Sequence, residues 1–205
     1  MTRLLLVRHG ETPWNKDRRL QGQEDIPLSA RGMEQARALA PVVRPYAPAT
    51  VIASDLQRAR QTAELLGYGD CRADVRLREA DLGVWVGLSA EELMATKAAD
   101  YLAWRSGTLT PQGAESFEML IERVRPAIQD LVSAPGPVLV VSHGGVVRAV
   151  LAILLDIYPD KLVPVSPGSL TVVDVPKDWP EPATGGPKLH SYNVTGYAAL
   201  EPAPD

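Results

Sequence analysis

The chain carries one cysteine and three histidines in 205 residues, and each scarcity removes a class of chemistry. Cys71 alone forms no intramolecular disulfide and no thiolate metal cluster, and it suits a reducing, cytoplasmic setting. A cysteine-dependent phosphatase needs an arginine six residues beyond its nucleophile, where this chain has Leu77. No two aspartates stand as D-x-D, which argues against an aspartyl-phosphate enzyme, and no Walker A, G-x-G-x-x-G or G-x-S-x-G motif occurs. Basic side chains number 21 against 25 acidic, a formal net charge of -4, so no nucleic acid and no anionic membrane surface is expected as a partner. The first apolar run, Leu4 to Val7, is too short for a signal peptide or a membrane span.

What is present is an ordinary globular composition, 45% hydrophobic and 22% charged. We expect a single domain over residues 1–205. Short apolar runs at Leu4 to Val7, Thr50 to Ala53, Val138 to Val141 and Leu170 to Val175 read as buried strands. Helical patterns fall between them: an alanine-rich stretch from Ser29 to about Val43, a helix to Leu66 opened by a Ser54/Gln57 capping box, and apolar helical spacing from Glu115 to Val132. Gly145 to Leu155 reads as a buried helix, and a Ser89/Glu92 capping box opens one in a lid-like insertion around residues 84–114. Residues 176–187 read as a loop rich in Pro and Gly, residues 188–200 as a last edge strand, and residues 201–205 as a fraying end. Strands alternating with helices predict an α/β fold, a three-layer α/β/α sandwich around a mostly parallel central sheet.

Two of the three histidines share one setting. L-L-L-V-R-H-G at 4 to 10 and V-L-V-V-S-H-G-G at 138 to 145 are each an apolar strand ending in His-Gly, and open α/β sheets bind ligands at the carboxyl ends of strands. If the two strands are neighbours, His9 and His143 face one pocket. Gly144 and Gly145 at a helix N-terminus suit an anion, and Arg8 and Arg58 fall within reach of the strand ends. Two guanidiniums around an imidazole stabilise a phosphate and depress the imidazole pKa, leaving a nitrogen free for nucleophilic attack. A departing alkoxide also needs a carboxylic acid; spacing alone leaves Glu79, Asp81, Glu11 and Glu115 in competition.

R-H-G-E-T at 8 to 12 with Asn15, L-Q-G-Q-E-D-I-P-L-S at 20 to 29, S-D-L-Q-R-A-R-Q-T-A at 54 to 63, L-R-E-A-D-L-G at 77 to 83 and V-S-H-G-G at 141 to 145 resemble, in order, the motifs of the histidine phosphatase superfamily, the phosphoglycerate mutase-like clan. The resemblance spans Leu4 to about Val150. It implies that His9 is phosphorylated, that Arg8, Arg58 and His143 complete a phosphate pocket with Asn15 beside it, and that Glu79 is the proton donor. It implies a phosphorylated small molecule as partner, with no metal and no cofactor, and homodimers occur among similar enzymes.

Mutases of this kind carry a lid with several basic residues, whereas only Lys97 and Arg105 lie between Glu79 and Glu115; a phosphatase is therefore expected over a mutase. The filled catalytic positions argue against a third reading, a non-catalytic phospho-ligand module. D-L-G-V-W-V-G-L at 81 to 88 resembles the phosphatase branches, and Y-L-A-W-R-S-G at 101 to 107 the glucosyl-3-phosphoglycerate phosphatases. Gln21, Gly22, Trp85, Trp104 and Arg105 are expected at the pocket rim, with Gly144 also contacting substrate. His190 is expected to be structural.

Overall fold

The computed structural model describes residues 1–183 and 185–197. In chain order the elements are β1 (Thr2–Arg8), α1 (Pro13–Lys16), α2 (Ala30–Val43), β2 (Thr50–Ala53), α3 (Gln57–Leu65), β3 (Arg72–Ala73), α4 (Ala90–Arg105), α5 (Phe117–Ser133), β4 (Val138–Ser142), α6 (Gly144–Leu155), β5 (Ser169–Val175) and β6 (Lys188–Thr195). The six strands form one sheet in the order β3-β2-β4-β1-β5-β6. The first four in that order are mutually parallel, and β5 runs antiparallel between β1 and β6. This is the expected three-layer α/β/α sandwich around a mostly parallel sheet. The expected final strand is present as β6; the residues beyond 197, including the end expected to fray, lie outside the described residues.

Alternation along β1 and β4 divides the core. Leu4, Leu6, Val138 and Val140 pack with Val124 and Ile128 of α5 and Val147 and Val150 of α6. Leu5, Val7, Leu139 and Val141 face the other way, onto Leu39 and Val43 of α2 and Ala59 and Ala63 of α3. Both sheet faces are covered, so the strands read as continuous apolar runs. A third cluster of Leu20, Leu82, Trp85, Leu93 and Tyr101 ties α4 to the loops before it.

Ser29 and Ser89 cap α2 and α4 as their patterns suggest, the latter in a full capping box with Glu92. Ser54 does not cap α3. That helix begins after Leu56, which supplies no side-chain cap; the carboxylate of Asp25 takes the Gln57 N–H instead, at 2.7 Å. Among the described residues no helix is long and apolar enough to cross a membrane.

Candidate active site

Arg8 stands level with Ser142 in the β1–β4 pairing, so His9 and His143 emerge side by side beyond the strand ends, with ring centroids 5.1 Å apart. His9 Nδ1 lies 2.6 Å from the Gly10 carbonyl. A carbonyl only accepts, so Nδ1 carries the ring proton and Nε2 keeps its lone pair. Burial, reinforced by the charges of Arg58 and Arg8, holds the imidazole well below its ordinary 6.5. His9 is therefore a neutral imidazole with Nε2 available at physiological pH.

His143 is held down in the same way, by burial first and then by Arg58, His9 and Arg8. Arg58 Nε donates to His143 Nδ1 at 3.3 Å, which places the ring proton on Nε2, 2.9 Å from Ser54 Oγ. Both nitrogens are thereby engaged. The ring is fully buried and stands behind Arg58, off the wall of the cavity that His9 and Arg58 border.

Arg58 is itself 1% exposed, and burial pushes its guanidinium down to about 10, still a cation at neutral pH. The Gly22 and Glu24 carbonyls accept from its Nη2 and Nη1 at 2.8 and 2.6 Å. Gly22 sits at φ +53°, in the left-handed region that favours glycine. Three of the five guanidinium N–H groups are used, leaving two for an anion. Arg8, likewise lowered to about 10 by burial, donates from Nη1 to the Val165 carbonyl, while its buried Nε has no hydrogen-bond partner among the described residues. An orphaned buried donor costs about 1–3 kcal/mol, and an anion in the cavity would satisfy it. Asn15 closes the capping box of α1 with Thr12 through its Oδ1 and also borders the cavity, so its turn role and its ligand role are compatible.

The four competing carboxylates separate by position. Glu79 borders the cavity; its Oε1 accepts from Ala80 N at 2.9 Å and its Oε2 from Gly145 N at 3.1 Å. A Cβ on residue 145 would collide with that carboxylate, so glycine there makes room for the acid. Glu115 also borders the cavity but is paired with Arg123, at 2.7 Å, and Arg123 also grips the Arg76, Arg78 and Glu79 carbonyls. Glu11 accepts from Ser29 Oγ at 2.8 Å. Asp81 caps the turn at Gly83 from an exposed position.

The chain matches the model of the histidine phosphatase superfamily (branch 1) over residues 4–189. The chain belongs to the histidine phosphatase superfamily. A glucosyl-3-phosphoglycerate phosphatase of Mycobacterium tuberculosis is 39% identical over 169 residues, 76% of each chain. A probable phosphoglycerate mutase of Proteus mirabilis is 38% identical over 188 residues, 85% of each. The structure of a mycobacterial glucosyl-3-phosphoglycerate phosphatase complexed with VO3 superposes with a TM-score of 0.84 at 35% identity, covering 95% of this chain and 100% of that one.

The cavity of this histidine phosphatase is lined by Gln21, Gly22, Trp104, Arg105 and, on the α6 side, Gly144. Trp85 is not among them. It is 3% exposed and packs edge-on to Trp104 with centroids 5.8 Å apart, so its indole supports the rim from beneath. His190 lies on β6, 2.7 Å from Asp174, which also binds Arg3. Among the wall residues that escaped the sequence reading are Arg19 and, on α6, Arg148. Its spacing four residues after Gly144 was the available clue, since residues i and i+4 share a helix face.

Proposed function

We propose that this histidine phosphatase hydrolyses a small phosphomonoester through a phosphohistidine at His9, with glucosyl-3-phosphoglycerate as the substrate its relatives favour. The observation that carries the reading is the Gly10 carbonyl on His9 Nδ1, which commits Nε2 to attack.

The Nε2 lone pair attacks phosphorus as the ester P–O bond breaks, and the Glu79 carboxylic acid gives its proton to the departing alkoxide. Arg8 and Arg58 match the charge on the equatorial oxygens, supplying the positive field that a metal ion provides elsewhere. His143 keeps Arg58 oriented through Nδ1, and donates to phosphate directly only if Arg58 Nε releases that nitrogen. Water then gives a proton to the Glu79 carboxylate and attacks phosphorus, the P–N bond breaks, and neutral His9 and inorganic phosphate result. We assign the whole chain to one domain in which residues 84–114 act as a lid beside the leaving group, working in the cytoplasm, where the half-buried Cys71 stays reduced.

The test is His9→Ala. Loss of phosphate release from p-nitrophenyl phosphate by on the order of 10⁴-fold, together with loss of acid-labile phosphorylation, is expected; full turnover by the variant refutes the scheme. The similarity to a probable mutase supports a second reading, transfer between hydroxyls on the same phosphohistidine. Of the two basic residues between Glu79 and Glu115, only Arg105 borders the cavity, which favours water as acceptor. Rapid isomerisation of phosphoglycerates with negligible hydrolysis would reverse that preference.

A further inference from the structure

Five arginines border the cavity against two glutamates. A phosphate group accounts for two of the five, Arg8 and Arg58. Arg19 is spent on the Gly87 carbonyl at 2.8 Å, and Glu115 is neutralised by Arg123. Arg105 has contacts of its own, among them the Tyr101 ring 6.0 Å from its guanidinium carbon, which leaves Arg148. Arg148 adds a third guanidinium to the two that a phosphate engages.

Arg148 is placed to reach into the cavity. Its Cβ, one turn beyond Gly144, leans toward the N-terminus of α6, and neither Gly144 nor Gly145 presents a side chain to block its reach. It is half-buried and forms no hydrogen bond or ion pair among the described residues. Burial lowers its guanidinium pKa, the Glu79 charge raises it, and Arg105 lowers it again, so it sits within the fields of the proposed acid and the rim cation.

We infer that Arg148 is a specificity residue that binds a second anionic group of the substrate, a carboxylate close to the phosphate, with Arg105 flanking it from the end of α4. This deepens the phosphatase reading and rests on it for turnover, since it places the glycerate carboxylate of a phosphoglycerate ester on the α6 wall. A planar guanidinium offers a carboxylate two parallel N–H bonds.

The experiment compares 3-phosphoglycerate with glycerol 3-phosphate, which differ only in a carboxylate against a hydroxymethyl group. Binding to the His9→Ala protein is measured by calorimetry, and kcat/KM is measured on the protein with His9 intact. We expect a preference for 3-phosphoglycerate of about tenfold or more in both, collapsing toward unity in Arg148→Gln and partly retained in Arg148→Lys, which keeps the charge without the fork. An undiminished preference in Arg148→Gln, or no preference with Arg148 present, overturns the assignment. Preferential binding without hydrolysis of either ester would overturn the phosphatase reading and leave the carboxylate station standing.

Discussion

The hydroxyl of Ser54 lies 2.9 Å from Nε2 of His143, and it is the acceptor for that ring's only proton. Because Arg58 occupies Nδ1, Ser54 fixes the tautomer that lets His143 hold Arg58 against the cavity. Ser54→Ala removes one neutral hydrogen bond, worth about 1 kcal/mol, so kcat should fall about fivefold to tenfold. Nitrogen chemical shifts of His143 should show a mixed tautomer population. An unchanged tautomer would mean that Ser54 only fills space.

Glu79 is expected to protonate the leaving group. Glu79→Gln should lower kcat for an alkyl phosphate by about 10²–10⁴-fold. The loss should be much smaller for p-nitrophenyl phosphate, whose phenolate departs without a proton. Equal losses on both esters would assign Glu79 to binding.

His9 and His143 are both buried with pKa values well below 6.5, whereas in the unfolded chain they titrate near that value. Between the two values the unfolded chain binds more protons, so stability rises with pH across that window. The contribution is present above about 6.5 and is lost as pH falls below it. Thermal denaturation in the His9→Ala protein should show a weaker fall in Tm between pH 6.5 and 5 than the unsubstituted protein does; identical profiles would contradict the assigned burial.

Trp85 and Trp104 should separate by measurement. Trp85 is almost fully buried, and removing a buried Trp side chain costs about 3–5 kcal/mol. For a chain of this size that corresponds to a fall in Tm of roughly 6–20 °C. Trp104 borders the cavity, so Trp104→Ala should raise KM for esters with bulky leaving groups while leaving KM for small alkyl phosphates close to its original value. The reverse pattern would exchange their roles.

The strand ends were legible because a buried parallel strand must be apolar throughout, and His9 and His143 each terminate such a run. Their adjacency was less so, since β4 is separated in sequence from its neighbours β1 and β2, and only the repeated His-Gly ending hinted at it. Ser54 was misread for a local reason. Ser-x-x-Gln satisfies a capping rule, yet this hydroxyl stands two residues before the cap position and lies against a buried imidazole, and Asp25 from another loop takes the cap. Trp85 and Trp104 look alike in sequence because packing against α4, rather than residue type, decides which indole meets the cavity. Arg148 was harder to read because an arginine within a helix most often points to solvent, and its place four residues after Gly144 was the one hint otherwise.

The pairing of Arg8 with Ser142 also orders events in time. The His9 imidazole, at the end of β1, has no neighbouring strand, and no α6 wall, until residues beyond 142 have been made. Long-range closure of this kind slows folding and makes the pocket an all-or-none product of the whole sheet. A truncated or half-folded chain would carry His9 and still lack the burial that holds its imidazole neutral.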